Sequence, residues 1–289
     1  MKQRTISRVT TSPIRPGFLG KGHLASPVVD GTNFRETDPF IILMDDRLDL
    51  PGDQPAGGPH PHAGFETVTL VVDGDGEDWK TGGLELMTAG KGVVHTEEIT
   101  TPKHLRILQL WLALPPELRW TEPFVQRMEP DAVPTINTEK SKIRVYSGTS
   151  NGVTSPLQNR TPLTLVDFAL NAHAEVGQAI PGAYNGFIYV LEGSVKVGET
   201  EVREGQTGWL DRTDGADEIV FRTTDMPARF VLYAAKPHGA SIVSHGPFIG
   251  DNDDDIRRLY REYRQGLMPH VNDLDESRKA KYSLAVDHP

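Results

Sequence analysis

The stretch GGPHPHAGFE, Gly57 to Glu66, sets two histidines one residue apart, with a proline between them and glycines on both sides. On an extended segment the side chains at i and i+2 leave the same face. Pro61 fixes the backbone between the two. His60 and His62 can therefore present two imidazole nitrogens to one point. Taken alone, the pair reads equally well as a turn or surface feature.

A second stretch bears on the choice. MTAGKGVVHTEE, Met87 to Glu98, puts His95 and Glu97 at i and i+2, again one face of an extended segment, after Gly90 and Gly92. Strand-like sequence lies between the two pairs, so they can meet across a small barrel. Three imidazoles and one carboxylate suit a divalent first-row metal and leave coordination positions open.

The surroundings read as β-structure. ETVTLVVDG (Glu66–Gly74) is rich in β-branched residues and stops at an Asp-Gly turn. LRILQLWLAL (Leu105–Leu114) alternates with larger apolar residues and runs into Pro115-Pro116, a stop signal. PFIILMDD (Pro39–Asp46) is a short apolar run closed by charge. Gln109 falls within the strand LRILQLW, either lining the barrel interior or packed in the sheet.

Composition narrows the class. The chain has 289 residues, enough for two medium domains. Its 30 basic and 40 acidic residues leave a net charge of −10, which argues against general affinity for nucleic acid or anionic membrane. With no cysteine, disulfides, thiolate nucleophiles and cysteine-based zinc or iron–sulfur sites are excluded, so a metal is expected on nitrogen and oxygen. No apolar run reaches the length of a membrane span, and the first 20 residues lack the apolar core of a secretory signal. The expectation is a cytoplasmic protein, a monomer by default, with no membrane or direct nucleic-acid partner.

The second half repeats the style of the first. GFIYVLEGSVKVGETEVREGQTGWL echoes ETVTLVVDGDGEDWKTGGLELMTAG, each with a strand ending in acid-Gly, a second strand and a glycine turn. Two tandem all-β units are expected: residues 1–125 with the metal, 126–245 without metal ligands, and 246–289 as a C-terminal helix and surface tail. The join is placed near MEPDAVPTINTEKSK. In DDDIRRLYREYRQG, Ile256, Leu259, Tyr260 and Tyr263 share a helical face. Asp251, Asp253, Asp255 and Glu262 imitate the spacing of a calcium loop, but Ile256 stands where such a loop needs glycine, so they read as helix-capping and surface charge.

These stretches together resemble the pirin family, a bicupin group of the cupin superfamily. HPHAGFE matches the first cupin motif through His60, His62 and Glu66, and Gly92 with His95 matches the second. DPF (Asp38–Phe40) and HGPF (His245–Phe248) extend the resemblance over nearly the whole chain. It implies an all-β fold of two cupin-type barrels with a C-terminal helix packing back. It implies metal ligation by His60, His62, His95 and Glu97, with iron the usual metal and other divalent first-row metals as alternatives. Glu66 then takes a supporting place.

Two departures stand out. The link DGDGEDWKTGGLELM is short, which suggests a trimmed hairpin at the rim and a wide mouth. QAIPGAYNGFIYVLEG holds no histidine where a second His-x-His would stand, so the second barrel is expected to have lost its metal; His173 is nearby but alone, and His245 reads as structural. The implied activity is that of a dioxygenase, an oxidoreductase opening a flavonol or similar enol or catechol as quercetin 2,3-dioxygenases do, with Glu97 a possible base. The alternative is a metal- and redox-responsive regulatory protein whose partner is a transcription factor or a metabolic enzyme. A roomy metal pocket favours the first reading.

Overall fold

The computed structural model describes residues 3–50, 58–74, 76, 79–96, 103–213 and 216–284. The chain divides into two compact units, one made of Pro13–Ala132 with His238–Pro289 and the other of Met1–Ser12 with Val133–Pro237. Among the described residues, the single long helix is Asp253–Arg264, and the rest is chiefly strand.

The unit that carries the histidine motifs is built on an eight-stranded sheet. Its spatial order is Arg15–Pro16, His23–Val29, Phe40–Leu50, Lys103–Ala113, Phe65–Gly74, Leu84–Thr88, Phe124–Met128 and Lys279–Tyr282. All pairings are antiparallel except the last, where Lys279–Tyr282 runs parallel to Phe124–Met128. Strand Lys103–Ala113 sits between Phe40–Leu50 and Phe65–Gly74, so Trp111 lies opposite both Ile42 and Thr67. His60–His62 and Val93–His95 form a separate two-stranded pair.

The helix closes the C-terminal part of this unit as its pattern predicts. Asn252 caps it, its side chain accepting from the Asp255 amide, and three aspartates fill the first turn where they favour the helix dipole. Gly266, at φ +69°, supplies the left-handed residue that ends it. Ile256 and Leu259 are buried against Ala63, Phe248 and Met268, so the helix braces the segment that follows His62. The calcium-like acids are used locally: Asp255 accepts from the Asp251 amide and pairs with Arg258, as does Glu262.

The other unit is a ten-stranded sheet whose interior is apolar. Phe168, Phe221 and Phe230 lie with ring centroids 4.7–5.2 Å apart, and Val145, Val166, Ile188 and Leu232 complete the packing. Exposed His173 lies 3.6 Å from exposed Asp225.

Three expectations are corrected. Ile6–Thr11 pairs with Gln206–Leu210, so the first strand belongs to the second unit and not to residues 1–125. Residues from His238 belong with the first unit, where Asp38 accepts from the amides of His238 and Gly239 and the His238 ring meets the Ala113 carbonyl. Residues 271–284 are not a surface tail: Leu274 is buried and Lys279–Tyr282 adds an edge strand. The run read as Pro39–Asp46 also extends through Leu50.

Candidate metal centre

His60 stands directly opposite His95 in the short antiparallel pair, and His62 opposite Val93. Period-two alternation then turns both His60 and His62 toward one side, as the sequence spacing requires. Gly64 makes the turn possible. It adopts φ +89°, and a Cβ there would lie 2.1 Å from the Ile249 carbonyl oxygen. Its amide donates to the Gly90 carbonyl, and Ile249 donates its amide to Ala63. The glycines of both motifs and the HGPF segment thus lock the two histidine-bearing strands together.

The three imidazoles converge. One ring nitrogen from each of His60, His62 and His95 can be chosen so that all three lie within 4.8 Å of one another. His60 Nδ1 lies 2.9 Å from the Gly58 carbonyl oxygen, which can only accept, so Nδ1 carries the hydrogen. This leaves a lone pair on His60 Nε2, which points at His95 Nε2 across 2.8 Å. A carbonyl orienting the far ring nitrogen is the usual support of a metal-binding histidine. The buried Nδ1 of His62 has no hydrogen-bond partner among the described residues. Converging lone-pair donors and an orphaned ring nitrogen fit a divalent cation with imidazole ligands.

Burial disfavours the charged form of His62 and of His95. Burial first, then His95 and His60, hold His62 well below the ordinary histidine range, against a smaller upward pull from the Pro247 carbonyl. Burial and neighbouring His60 and His270 push His95 down to about 3. Neutral imidazole is the metal-binding form. Folding therefore depresses both values below that of the unfolded chain, and stability present above about pH 6.5 is lost as pH falls toward 3. Chelator-treated protein should lose thermal midpoint between pH 7 and 4.5, and His95→Ala should fall less steeply. Equal slopes for the two would contradict this coupling.

The site opens on a cavity of about 710 Å³. Trp111 stacks on Phe65 at 4.3 Å between centroids, and both set an edge against His62. Alternating residues Trp111, Gln109, Ile107 and Leu105 on one strand, and Ile42, Met44, Asp46 and Leu48 on its neighbour, line its length. Gln109, ambiguous in sequence, thus faces the cavity. Trp79 lines it from the short link read as a trimmed hairpin; residues 75 and 77–78 of that link lie outside the described residues.

Glu97, the expected fourth ligand, also lies outside the described residues. Glu66 is fully buried and accepts from the Thr88 hydroxyl across the strand pair, a supporting contact. His245 contacts the Tyr260 hydroxyl at 2.9 Å. Sequence reasoning missed Met268–His270, where Pro269 accepts from the Val94 amide and His270 bonds Thr96, fastening the His95 strand from behind. A histidine in an irregular segment carries no periodic signal that could have revealed it.

Comparison with known proteins agrees with this architecture. Residues 24–112 match the family model described as Pirin, and residues 165–269 that of the Pirin C-terminal cupin domain. A pirin-like protein of Solanum lycopersicum is 31% identical over 258 residues, covering 86% of this chain and 87% of its own. A quercetin 2,3-dioxygenase structure from Acinetobacter baumannii superposes with a TM-score of 0.80 at 23% identity, covering 92% and 98% of the two chains. The pirin YhhW of Escherichia coli, solved with nickel(II), gives 0.61 at 17% identity over 80% and 99%. These two structural likenesses speak for the fold.

Proposed function

This chain belongs to the pirin family, a bicupin group, and on that footing we propose that it is a metal-dependent oxygenase of the quercetin 2,3-dioxygenase type. The observation that carries the reading is the roomy, largely apolar cavity that opens directly on His60 and His62. A site serving only as a redox sensor for a protein partner has no need of such a chamber. Its walls suit a planar aromatic molecule that presents chelating oxygens to the triad.

His60, His62 and His95 would hold the metal, iron in the first instance, with Glu97 as fourth donor. Glu97 is assigned from the family resemblance and from its place two residues past His95, the spacing that shares a face wherever the backbone is extended. When bound, such a metal supplies Lewis acidity toward an enolate oxygen and a path for electron transfer to O₂. The chain's own residues do the rest. Trp111, Ile42 and Met44 exclude water from the reacting end. Phe65 and Trp111 hold the His62 ring in place. Glu97 takes the substrate hydroxyl proton, provided that it comes within hydrogen-bond reach.

Oxygen uptake with quercetin at matched metal loading tests the reading. Wild-type protein should consume O₂, and His62→Ala should not. Glu97→Gln with metal and ring opening both intact would remove the proton role. Full metal content in the wild type without oxygen uptake would transfer the weight to the regulatory alternative.

A further inference from the structure

The far end of the cavity holds a polar group that the proposed oxygenase chemistry leaves unused. Asp46 lines the wall among Ala25, Leu48 and Ile107. His23, almost fully buried, sets its Nε2 2.7 Å from Asp46 Oδ1. The Leu19 amide donates to His23 Nδ1 at 3.2 Å, so Nδ1 accepts and Nε2 carries the hydrogen given to Asp46. The loop before His23 is shaped around this ring: a Cβ on Gly17 would sit 2.2 Å from the His23 Nδ1 atom. The imidazole is therefore spent on both sides and serves to orient the carboxylate. Asp46 Oδ2 has no hydrogen-bond partner among the described residues.

Strand register gives the span. Ile42 lies opposite Trp111, beside the triad, and Asp46 lies opposite Ile107, four residues farther along both strands. At about 3.3 Å per residue the two rows are roughly 13 Å apart. Between them the wall is Met44 and Gln109. Arg15 also lines the cavity, in the same row as Asp46 but two strands away at the exposed outer edge.

We propose that Asp46, held by His23, is the distal specificity residue of this cavity, selecting elongated multi-ring ligands that chelate at the triad and carry a hydroxyl donor at the opposite end. The assignment rests on the oxygenase reading for the chelating end only. A ligand lacking the distal hydroxyl leaves a desolvated carboxylate without a donor, and that loss gives discrimination.

The test is anaerobic titration of the metal-loaded protein with 3-hydroxyflavone, 3,7-dihydroxyflavone and 3,4′-dihydroxyflavone, read by quenching of tryptophan fluorescence. All three carry the chelating pair, and the last two add a hydroxyl at one end or the other. At least one dihydroxy compound should bind about tenfold more tightly than 3-hydroxyflavone, as expected for a hydrogen bond to a charged group. Asp46→Leu should erase or reverse that preference while 3-hydroxyflavone binds at least as well as before. Asp46→Asn, which keeps an acceptor for His23, should leave a smaller preference and serves if the leucine variant does not fold. Equal binding of the three compounds to the wild type, or an undiminished preference in the Asp46 variants, overturns the assignment while leaving the oxygenase reading in place. No binding by any of the three overturns both.

Discussion

His62→Ala and His95→Ala proteins should each lose their metal, with affinity reduced by at least about 100-fold. Changes to groups that merely orient a ligand already cost about 10–100-fold. The geometry allows little compensation. His60 Nε2 and His95 Nε2 face each other at 2.8 Å, and the described residues offer no other cluster of three metal-ligating side chains. The effect should appear twice, in metal content after dialysis and in thermal stability. Added metal at about 1,000 times its dissociation constant raises wild-type stability by roughly 4 kcal/mol, and the variants should gain little. Full metal content in both variants would show that the ligands lie elsewhere.

Gly64→Ala should be nearly as damaging without touching a ligand. At φ +89° any L side chain is strained, and its Cβ would meet the backbone oxygen of Ile249, which has no flexible end to give way. Strain and forced displacement together should cost about 3–5 kcal/mol. Urea unfolding measures the cost, and metal content shows whether the His60–His62 strand moved with it. A loss below about 1 kcal/mol would mean that the turn after His62 is far more pliable than its contacts imply.

Much of the centre was legible in the sequence because its geometry is local. His-Pro-His on an extended backbone has one arrangement, and His95 after two glycines has another of the same kind, so only their meeting needed the fold. The helix was equally legible from the face shared by Ile256, Leu259, Tyr260 and Tyr263, whereas its Asn252 cap emerges only from the structure. What escaped notice depends on pairing over long distances. Ile6–Thr11 is mostly exposed and polar, and nothing within it names Gln206–Leu210 as its partner. The parallel docking of Lys279–Tyr282 beside Phe124–Met128 is similarly silent, since charged edge residues look like a tail. In the sequence alone Asp46 is the charge that closes a short apolar run. Its role at the cavity wall appears only when alternation continues through Leu48 and places Asp45 on the other face, where Arg106 grips it with two hydrogen bonds.

His60, His62 and His95 are expected to hold one metal at one end of an apolar cavity. Anomalous diffraction from crystals of the metal-loaded protein, collected at the metal's absorption edge, tests it most directly. A single strong peak is expected about 2.0–2.2 Å from one ring nitrogen of each histidine, the distance usual for imidazole ligation of a first-row metal. A stoichiometrically loaded protein with its peak elsewhere, or touching fewer than all three rings, would contradict it.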